Sequence, residues 1–216
     1  LLQAVRAIIA SFVLAIPIAR LARVARPLRV VLVTGSSLLY AVPSLALFVI
    51  LPIILGTGIR DAANVVVALT LYGLALLVPA TADALDAVDA RVLDAATAMG
   101  MGRLRCFLTV ELPLAGPAIL TGLRVVTVST ISLTTVGAVL GVRSLGWLFT
   151  DGFQRGITAE IVTGLVATAA LALVLDGLVL ALGRLCLPWT WKRAGDAGAV
   201  AAGACAAAPN SQEGQA

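Results

Sequence analysis

The chain has 216 residues, of which 61% are hydrophobic and only 12% are charged, and its mean hydropathy is +1.08. Because a soluble domain is roughly 25% charged, this composition excludes an ordinary soluble protein and indicates an all-α integral membrane protein. The chain contains no histidine, which excludes histidine-based metal sites, Ser-His triads and histidine proton relays. The small net charge of +4 reflects membrane topology rather than nucleic-acid binding.

Five apolar stretches are long enough to cross the bilayer, since about 20 residues at 1.5 Å each span ~30 Å of hydrocarbon. They cover residues 1–19, 30–55, 63–82, 114–140 and 161–183, which predicts one transmembrane domain over 1–193. A cleavable signal peptide is the rival interpretation of the first stretch, but that stretch lacks a basic start and leads directly into arginines. The Ala- and Gly-rich stretch 194–216 lacks apolar bulk and is predicted to be a disordered tail.

The distribution of basic residues predicts the orientation. Ten of them fall on one side of the predicted spans: Arg20, Arg23, Arg26, Arg29, Arg91, Arg103, Arg105, Arg184, Lys192 and Arg193. Three fall on the other side: Arg60, Arg143 and Arg155. By the positive-inside rule, we expect the first side to be cytoplasmic in a bacterial plasma membrane, with the N-terminus outside and the C-terminus inside.

The segment 83–113 is too polar to cross a bilayer and faces the cytoplasm in this topology. Strong helix formers occupy residues 89–99, and Gly100 and Gly102 follow, which predicts a short helix and then a turn. A second helical spacing of apolar residues ends at Pro113, a residue suited to the first turn of the next membrane helix. The segment is therefore predicted to be a helix-turn-helix on the membrane surface.

Ala95 and Ala96 lie in the first of these helices, and their small side chains allow its backbone to approach a partner surface closely. The alternative is an amphipathic connector that rests on lipid headgroups.

Ionisable residues inside the spans are costly, at about 2.5–3.5 kcal/mol each on insertion scales. Arg124 lies eleven residues beyond Pro113, and Asp176 lies eight residues before Arg184, so helix rise puts the two at about 16 and 12 Å depth. We hypothesise that they pair across the fourth and fifth spans. A pore-lining role for Arg124 toward a substrate carboxylate is the alternative.

Two further features concern the predicted translocation path. Pro43 and Ser44 interrupt the second span and predict a kink beside the path, with plain packing as the alternative. The loop 141–160 contains several glycines and a charged pattern that no simple span would have. We interpret it as an external or re-entrant segment that contributes to an outer gate and to contact with a binding protein.

The cytoplasmic segment carries a family resemblance. Its residues Asp94, Ala95, Ala96, Gly100, Val110, Leu112 and Pro113 resemble the "EAA" signature, E-A-A-x3-G-x9-I-x-L-P, of permease subunits from binding-protein-dependent ABC importers. The spacing agrees at every position, with Asp94 in place of Glu and Val110 in place of Ile. The resemblance implies that these residues, with Gly102 in the turn, dock on an ATPase as a coupling helix of a type I ABC importer permease fold.

The resemblance narrows outside that segment. The stretches "AVPSLALF", "VELPLAGPAILTGLRV" and "GVRSLGWLF" are similar to permeases that import glycine betaine, carnitine, choline or proline betaine. Such a resemblance implies import of an osmoprotectant, with selection resting largely on a separate extracytoplasmic binding protein. With only 5% aromatic residues, the chain is not expected to contain the aromatic cage that such binding proteins use for quaternary ammonium groups.

The same resemblance implies the partners. The sequence contains no G-x4-G-K-[ST] phosphate-binding loop, so the chain itself is expected to be non-catalytic and to bind no cofactor, metal or nucleic acid. ATP and magnesium then belong to two ABC ATPase subunits, which would act with a second permease subunit, identical or a sister chain, and with the binding protein.

Other classes remain as alternatives. The same machinery importing an amino acid or an aromatic compound is the nearest one. A secondary transporter would require paired intramembrane acids and an internal repeat, and a membrane-embedded enzyme would require a convergent polar cluster; neither pattern is evident.

Overall fold

The computed structural model describes residues 2–24, 26–56, 58, 61–142 and 144–187. Their regular structure is entirely helical, which confirms the predicted all-α class. The first four helices are α1 (Leu2–Val24), α2 (Arg26–Ala41), α3 (Ser44–Leu55) and α4 (Ala62–Asp86). They are followed by α5 (Ala90–Ala98), α6 (Arg103–Cys106), α7 (Leu112–Val136), α8 (Trp147–Arg155) and α9 (Thr158–Cys186). The predicted tail 194–216 lies outside the described residues.

Four helical stretches are long and apolar enough to cross a membrane, namely Leu2–Arg23, Ala62–Asp86, Arg103–Val139 and Thr158–Leu185. A fifth candidate is the pair α2 and α3, which are bent by 108° at a short break. The span predicted over 30–55 is therefore formed by two helices, and the bend between them falls where the kink was predicted. Pro43 at the break has no N–H to donate, and the residue before a proline is driven out of the α conformation.

Helix α4 forms the centre of the molecule and packs against α1, α2, α3 and α7. The face that α1 turns inward is made of small residues, with Ala7, Ser11, Ala15 and Ala19 at most 1% exposed. Small residues on one face of a membrane helix let two backbones approach closely, which increases van der Waals contact where lipid offers no hydrophobic drive for association. Three clusters of buried apolar side chains extend this contact along the length of α4.

The fourth predicted span begins earlier than residue 114, because the helix runs on from the polar segment without a break. Residues Phe107–Glu111 form a π-helical turn between α6 and α7, and the N–H of Leu112 donates to the carbonyl of Phe107. Pro113 cannot donate to a carbonyl of the preceding turn, and the π-helical turn just before it accommodates this loss.

The predicted loop 141–160 contains a helix of its own. Helix α8 spans nine residues and ends at Gly156, whose φ of 70° is left-handed. It packs against the start of α9, where Gly152 leaves no room for a larger side chain beside Ile161. Whether this helix takes part in a gate stays a prediction.

Replacing Gly73 in α4 should destabilise the helix pair α1 and α4. A Cβ at this position would lie 2.7 Å from Cβ and Oγ of Ser11, so the backbones must move apart, at a cost of about 1–3 kcal/mol. We expect Gly73→Ala to lower the thermal unfolding midpoint of the detergent-solubilised protein. The control is Gly177→Ala in α9, where a Cβ meets nothing within 4 Å. Equal midpoints for the two variants would contradict this packing.

Candidate functional site

The polar segment between α4 and α7, residues 87–111, is termed the connecting segment. Its first helix, α5, is preceded by the N-cap residue Asp89, whose side chain accepts a hydrogen bond from the N–H of Arg91 at 2.9 Å. This contact satisfies one of the backbone donors that every helix start leaves free. At the other end the chain reverses at Gly100, where φ is 80°, a conformation that favours glycine. The predicted short helix and turn are thus present.

The residues of α5 that resemble the EAA signature differ in their exposure to solvent. Asp94 and Ala95 are exposed, whereas Ala96 is only 1% exposed and packs within the chain. Ala96 lies about 100° from Ala95 around the helix, so only Ala95 of the two alanines is exposed in this chain, and the docking role of both stays a prediction. Gly100 and Gly102 are both exposed in the turn.

The second part of the connecting segment, from α6 to residue 111, packs against the membrane helices. Cys106 and Phe107 are buried, and Leu112 packs against the cluster that contains Phe107 and Ile119. Val110 and Pro113 are half-buried. Val110, Leu112 and Pro113 of the EAA-like signature are thus at least partly buried around the start of α7, whereas Asp94 and Ala95 of the same signature are exposed.

A cluster of charges links the connecting segment to three helices. Arg23 of α1 forms ion pairs with Glu111 and with Asp86, the latter at 3.3 Å between Nε and Oδ1. Arg29 of α2 reaches the same Asp86, with Nη2 and Oδ2 2.5 Å apart, and lies 3.8 Å from Asp83. We call this group, Arg23, Arg29, Asp83, Asp86 and Glu111, the anchor cluster.

An aromatic contact supports the anchor cluster. The guanidinium carbon of Arg20 lies 4.4 Å from the ring centroid of Phe107, a distance at which a cation is attracted to the ring face. The connecting segment is thereby tied to α1 at two points.

Sequence reasoning missed the anchor cluster because it treated the arginines only as indicators of topology. A usable signal was present, however. Basic residues fill the junction of the first two predicted spans, and acidic residues, Asp83 and Asp86 among them, follow the third span on the same side. Helices that end on one side of a membrane bring such opposite charges together.

The hypothesised contact between Arg124 and Asp176 is present. Nε of Arg124 donates to Oδ1 of Asp176 at 2.8 Å, and Nη2 donates to Oδ2 at 2.6 Å. This bidentate geometry is the stronger form of an arginine–carboxylate pair, and it joins α7 to α9 within the membrane-spanning region. The pair neutralises both charges where an unpaired one would be expensive. Its place beside the translocation path stays a prediction.

The kink predicted at Pro43 and Ser44 is the 108° bend between α2 and α3. Pro43 has φ of −57° and ψ of 126°, so the chain is extended there and backbone groups leave the helical pattern. The hydroxyl of Tyr72 in α4 donates to the carbonyl of Val42 at 2.6 Å. This contact satisfies one carbonyl that the break has freed, as a membrane interior requires.

Within the described residues, no group of three or more Cys, Asp or Glu side chains is arranged to hold a metal ion.

Residues 7–191 match the family model described as "Binding-protein-dependent transport system inner membrane component". The choline transport system permease protein OpuBD of Bacillus subtilis is 32% identical over 74% of this chain and 70% of that protein. The osmoprotectant import permease protein OsmY of Salmonella typhimurium is 33% identical over 68% of this chain and 61% of that protein.

The ergothioneine transport permease/ergothioneine binding protein EgtU of Helicobacter pylori is 34% identical over 70% of this chain but only 27% of its own length. The chain therefore spans between 27% and 70% of these curated relatives.

Solved structures show the same fold. The inward-facing MetNI methionine ABC transporter matches with a TM-score of 0.67 and 23% identity, over 86% of this chain and 90% of that chain. An amino acid ABC transporter with histidines matches with a TM-score of 0.64 and 18% identity, over 86% and 88% of the two chains. The importer permease fold expected from the sequence is confirmed.

Removing the charge of Glu111 should loosen the connecting segment. In Glu111→Gln the segment loses its ion pair with Arg23, and we expect faster amide hydrogen exchange over residues 87–111. Hydrogen–deuterium exchange with mass spectrometry measures this change. The control is Arg155→Gln, which breaks the pair that the exposed Arg155 forms with the half-buried Asp151 in α8, outside the connecting segment. Unchanged exchange over 87–111 in Glu111→Gln would refute an anchoring role.

The Arg124–Asp176 pair should behave as a unit. Arg124→Gln and Asp176→Asn each leave one unpaired charge among apolar helices, and we expect each to lower the thermal unfolding midpoint. The charge-swapped variant R124D/D176R and the double neutral variant R124Q/D176N should recover most of the loss. Midpoints that fall additively in both double variants would show that the two residues act independently.

Proposed function

The chain belongs to the family of binding-protein-dependent transport system inner membrane components, and from this premise we propose that it is the membrane-spanning permease subunit of an ABC importer. In this role it carries an osmoprotectant of the betaine or choline type into the cytoplasm. ATP is hydrolysed by separate ATPase subunits, and a solute-binding protein delivers the substrate from outside. A second permease subunit completes the path across the bilayer.

The exposed pattern in the connecting segment carries this proposal. Asp94 and Ala95 lie on the outer face of α5, beside the exposed turn at Gly100 and Gly102, so an ATPase groove can receive this face. A small side chain at position 95 lets the α5 backbone lie close against that groove. The side bearing this segment is then cytoplasmic, which agrees with the excess of arginines there.

In the proposed mechanism, the anchor cluster transmits movement of the ATPases to the membrane helices. A force on α5 passes through Glu111 to Arg23 of α1 and through Asp86 to Arg29 of α2. Because α6, the π-helical turn and α7 form one continuous helical stretch, the same force also moves α7 directly. In this proposal the connecting segment therefore moves α1, α2, α4 and α7 together and does not act as a loose loop.

The substrate class is supported by the names of the relatives. Two of these names contain choline or osmoprotectant. A third relative, a permease protein of Bacillus subtilis that is 31% identical to this chain, is named for glycine betaine, carnitine and choline. Ergothioneine, named for the relative from Helicobacter pylori, and methionine, named for the MetNI transporter, make another small solute the alternative cargo.

We assign the residues at the helix break and the intramembrane ion pair to the vicinity of the translocation path. Pro43 and Ser44 open the backbone between α2 and α3, and Arg124 and Asp176 meet between α7 and α9. Because Asp176 neutralises Arg124, this arginine does not present an isolated charge that would repel a choline-like cation.

Transport by the reconstituted complex tests the substrate. The permease, its ATPase and its binding protein are assembled in proteoliposomes, and uptake of radiolabelled glycine betaine, choline and methionine is measured with and without internal ATP. We expect ATP-dependent uptake of at least one quaternary ammonium solute and none of methionine. Uptake of methionine alone would support the alternative cargo.

A substitution on the outer face of α5 tests the coupling role in the same assay. Ala95→Leu should lower uptake by about tenfold or more, because the added bulk keeps α5 away from the ATPase. The control is Ala170→Leu, at an exposed alanine of α9 that lies outside the connecting segment. If Ala95→Leu transports as well as Ala170→Leu, the outer face of α5 is not the docking surface.

A further inference from the structure

A cavity of about 420 Å³ lies beside the break between α2 and α3. Its lining includes Tyr40, Ser44 and Tyr72, together with Ser129 and Ser132 of α7. This volume falls within the ~300–1,000 Å³ typical of small-molecule sites. The cavity combines aromatic rings with hydroxyl groups, in contrast to the apolar surfaces that most of these helices present.

The two tyrosines form a corner of this cavity. Their ring centroids are 6.2 Å apart and their planes meet at 80°, so the rings present two differently oriented walls. Tyr72 is 3% exposed, and its hydroxyl is occupied by the carbonyl of Val42. Tyr40 is 50% exposed and is the ring that an entering molecule can reach.

The chemistry of the lining favours a quaternary ammonium group. Such a group has no N–H to donate, so a protein recognises it through the negative faces of aromatic rings. The described lining residues carry no formal charge, and Arg124, one helical turn from Val128 on α7, is held by Asp176 on α9. The serine hydroxyls can hydrogen-bond to the polar end of a substrate.

The position of the cavity also suits a substrate in transit. Tyr72 lies fourteen residues before Asp86 in α4, which corresponds to about 21 Å of helix rise from the anchor cluster. The cavity is therefore displaced toward the side of the bilayer opposite the connecting segment, where the binding protein would release its cargo.

We infer that this cavity is a binding site for the quaternary ammonium group of the transported solute, with Tyr40 as its principal contact and Tyr72 as the second wall. The inference rests on the function proposed above and deepens it. It gives the permease its own recognition of the cargo, separate from that of the binding protein.

Direct binding tests the site. The permease–ATPase complex is placed in nanodiscs without the binding protein, and tritiated choline binding is measured by scintillation proximity. Tetramethylammonium and the uncharged analogue 3,3-dimethylbutan-1-ol serve as competitors. We expect choline to bind, tetramethylammonium to displace it, and the uncharged analogue to be a much weaker competitor.

Three variants assign the binding to the cavity. Tyr40→Leu should weaken choline binding roughly tenfold, whereas Tyr40→Phe, which keeps the ring, should stay within about twofold of the unmodified complex. Phe153→Leu, at an aromatic residue of α8 that is 81% exposed, is the matched control and should have no effect. Recovery of intact complex by size-exclusion chromatography confirms that each variant folds.

Three results would contradict the proposal that this cavity binds the quaternary ammonium group. The first is that choline does not bind, the second is that the uncharged analogue competes as well as tetramethylammonium, and the third is that the Tyr40→Leu complex binds choline as well as the unmodified complex. Proteoliposome uptake separates this failure from failure of the proposed function. If quaternary ammonium uptake persists while Tyr40→Leu has no effect on binding, only the site is lost. If uptake of every quaternary ammonium solute is absent, the proposed function itself is wrong.

Discussion

The absence of water in the bilayer core is the constraint on which the structure depends, because polar groups placed there must find partners within the protein. The chain meets this demand in several ways. Buried hydroxyls such as Ser11 and Thr134 donate to carbonyls three or four residues earlier in their own helices. Arg124 and Asp176 neutralise each other across α7 and α9. The carbonyl exposed at the break after α2 is taken by Tyr72.

The same constraint separates the two kinds of electrostatic contact in the molecule. The ion pair between α7 and α9 is single and bidentate, as suits a region where each charge is costly. The anchor cluster contains five charged side chains, and those of Arg29 and Asp83 are 44% and 75% exposed. Water there lowers the cost of each charge, so several can gather and share partners. This arrangement joins the connecting segment to α1, α2 and α4 without a large apolar interface.

The break between α2 and α3 both interrupts the backbone hydrogen bonding of the helix and opens a space between the helices. Pro43 removes a backbone donor, and the chain turns by 108°, which creates space that a straight pair of helices would fill. Tyr72 satisfies the freed carbonyl and, with Tyr40, brings aromatic surface to that space. A composition of only 5% aromatic residues argued against an aromatic cage, but composition does not report whether two rings meet.

The sequence by itself determined the all-α class, the number of apolar stretches, the short helix and turn of the connecting segment, and the partnership of Arg124 with Asp176. Each follows from local period, local composition or the cost of charge at a calculable depth. Only the tertiary structure decided that Ala96 faces inward while Ala95 faces outward, that the bend at Pro43 is as large as 108°, and that Arg23, Asp86 and Glu111 meet. Those features depend on how helices far apart in sequence are rotated and paired, which helical periodicity within one segment does not specify.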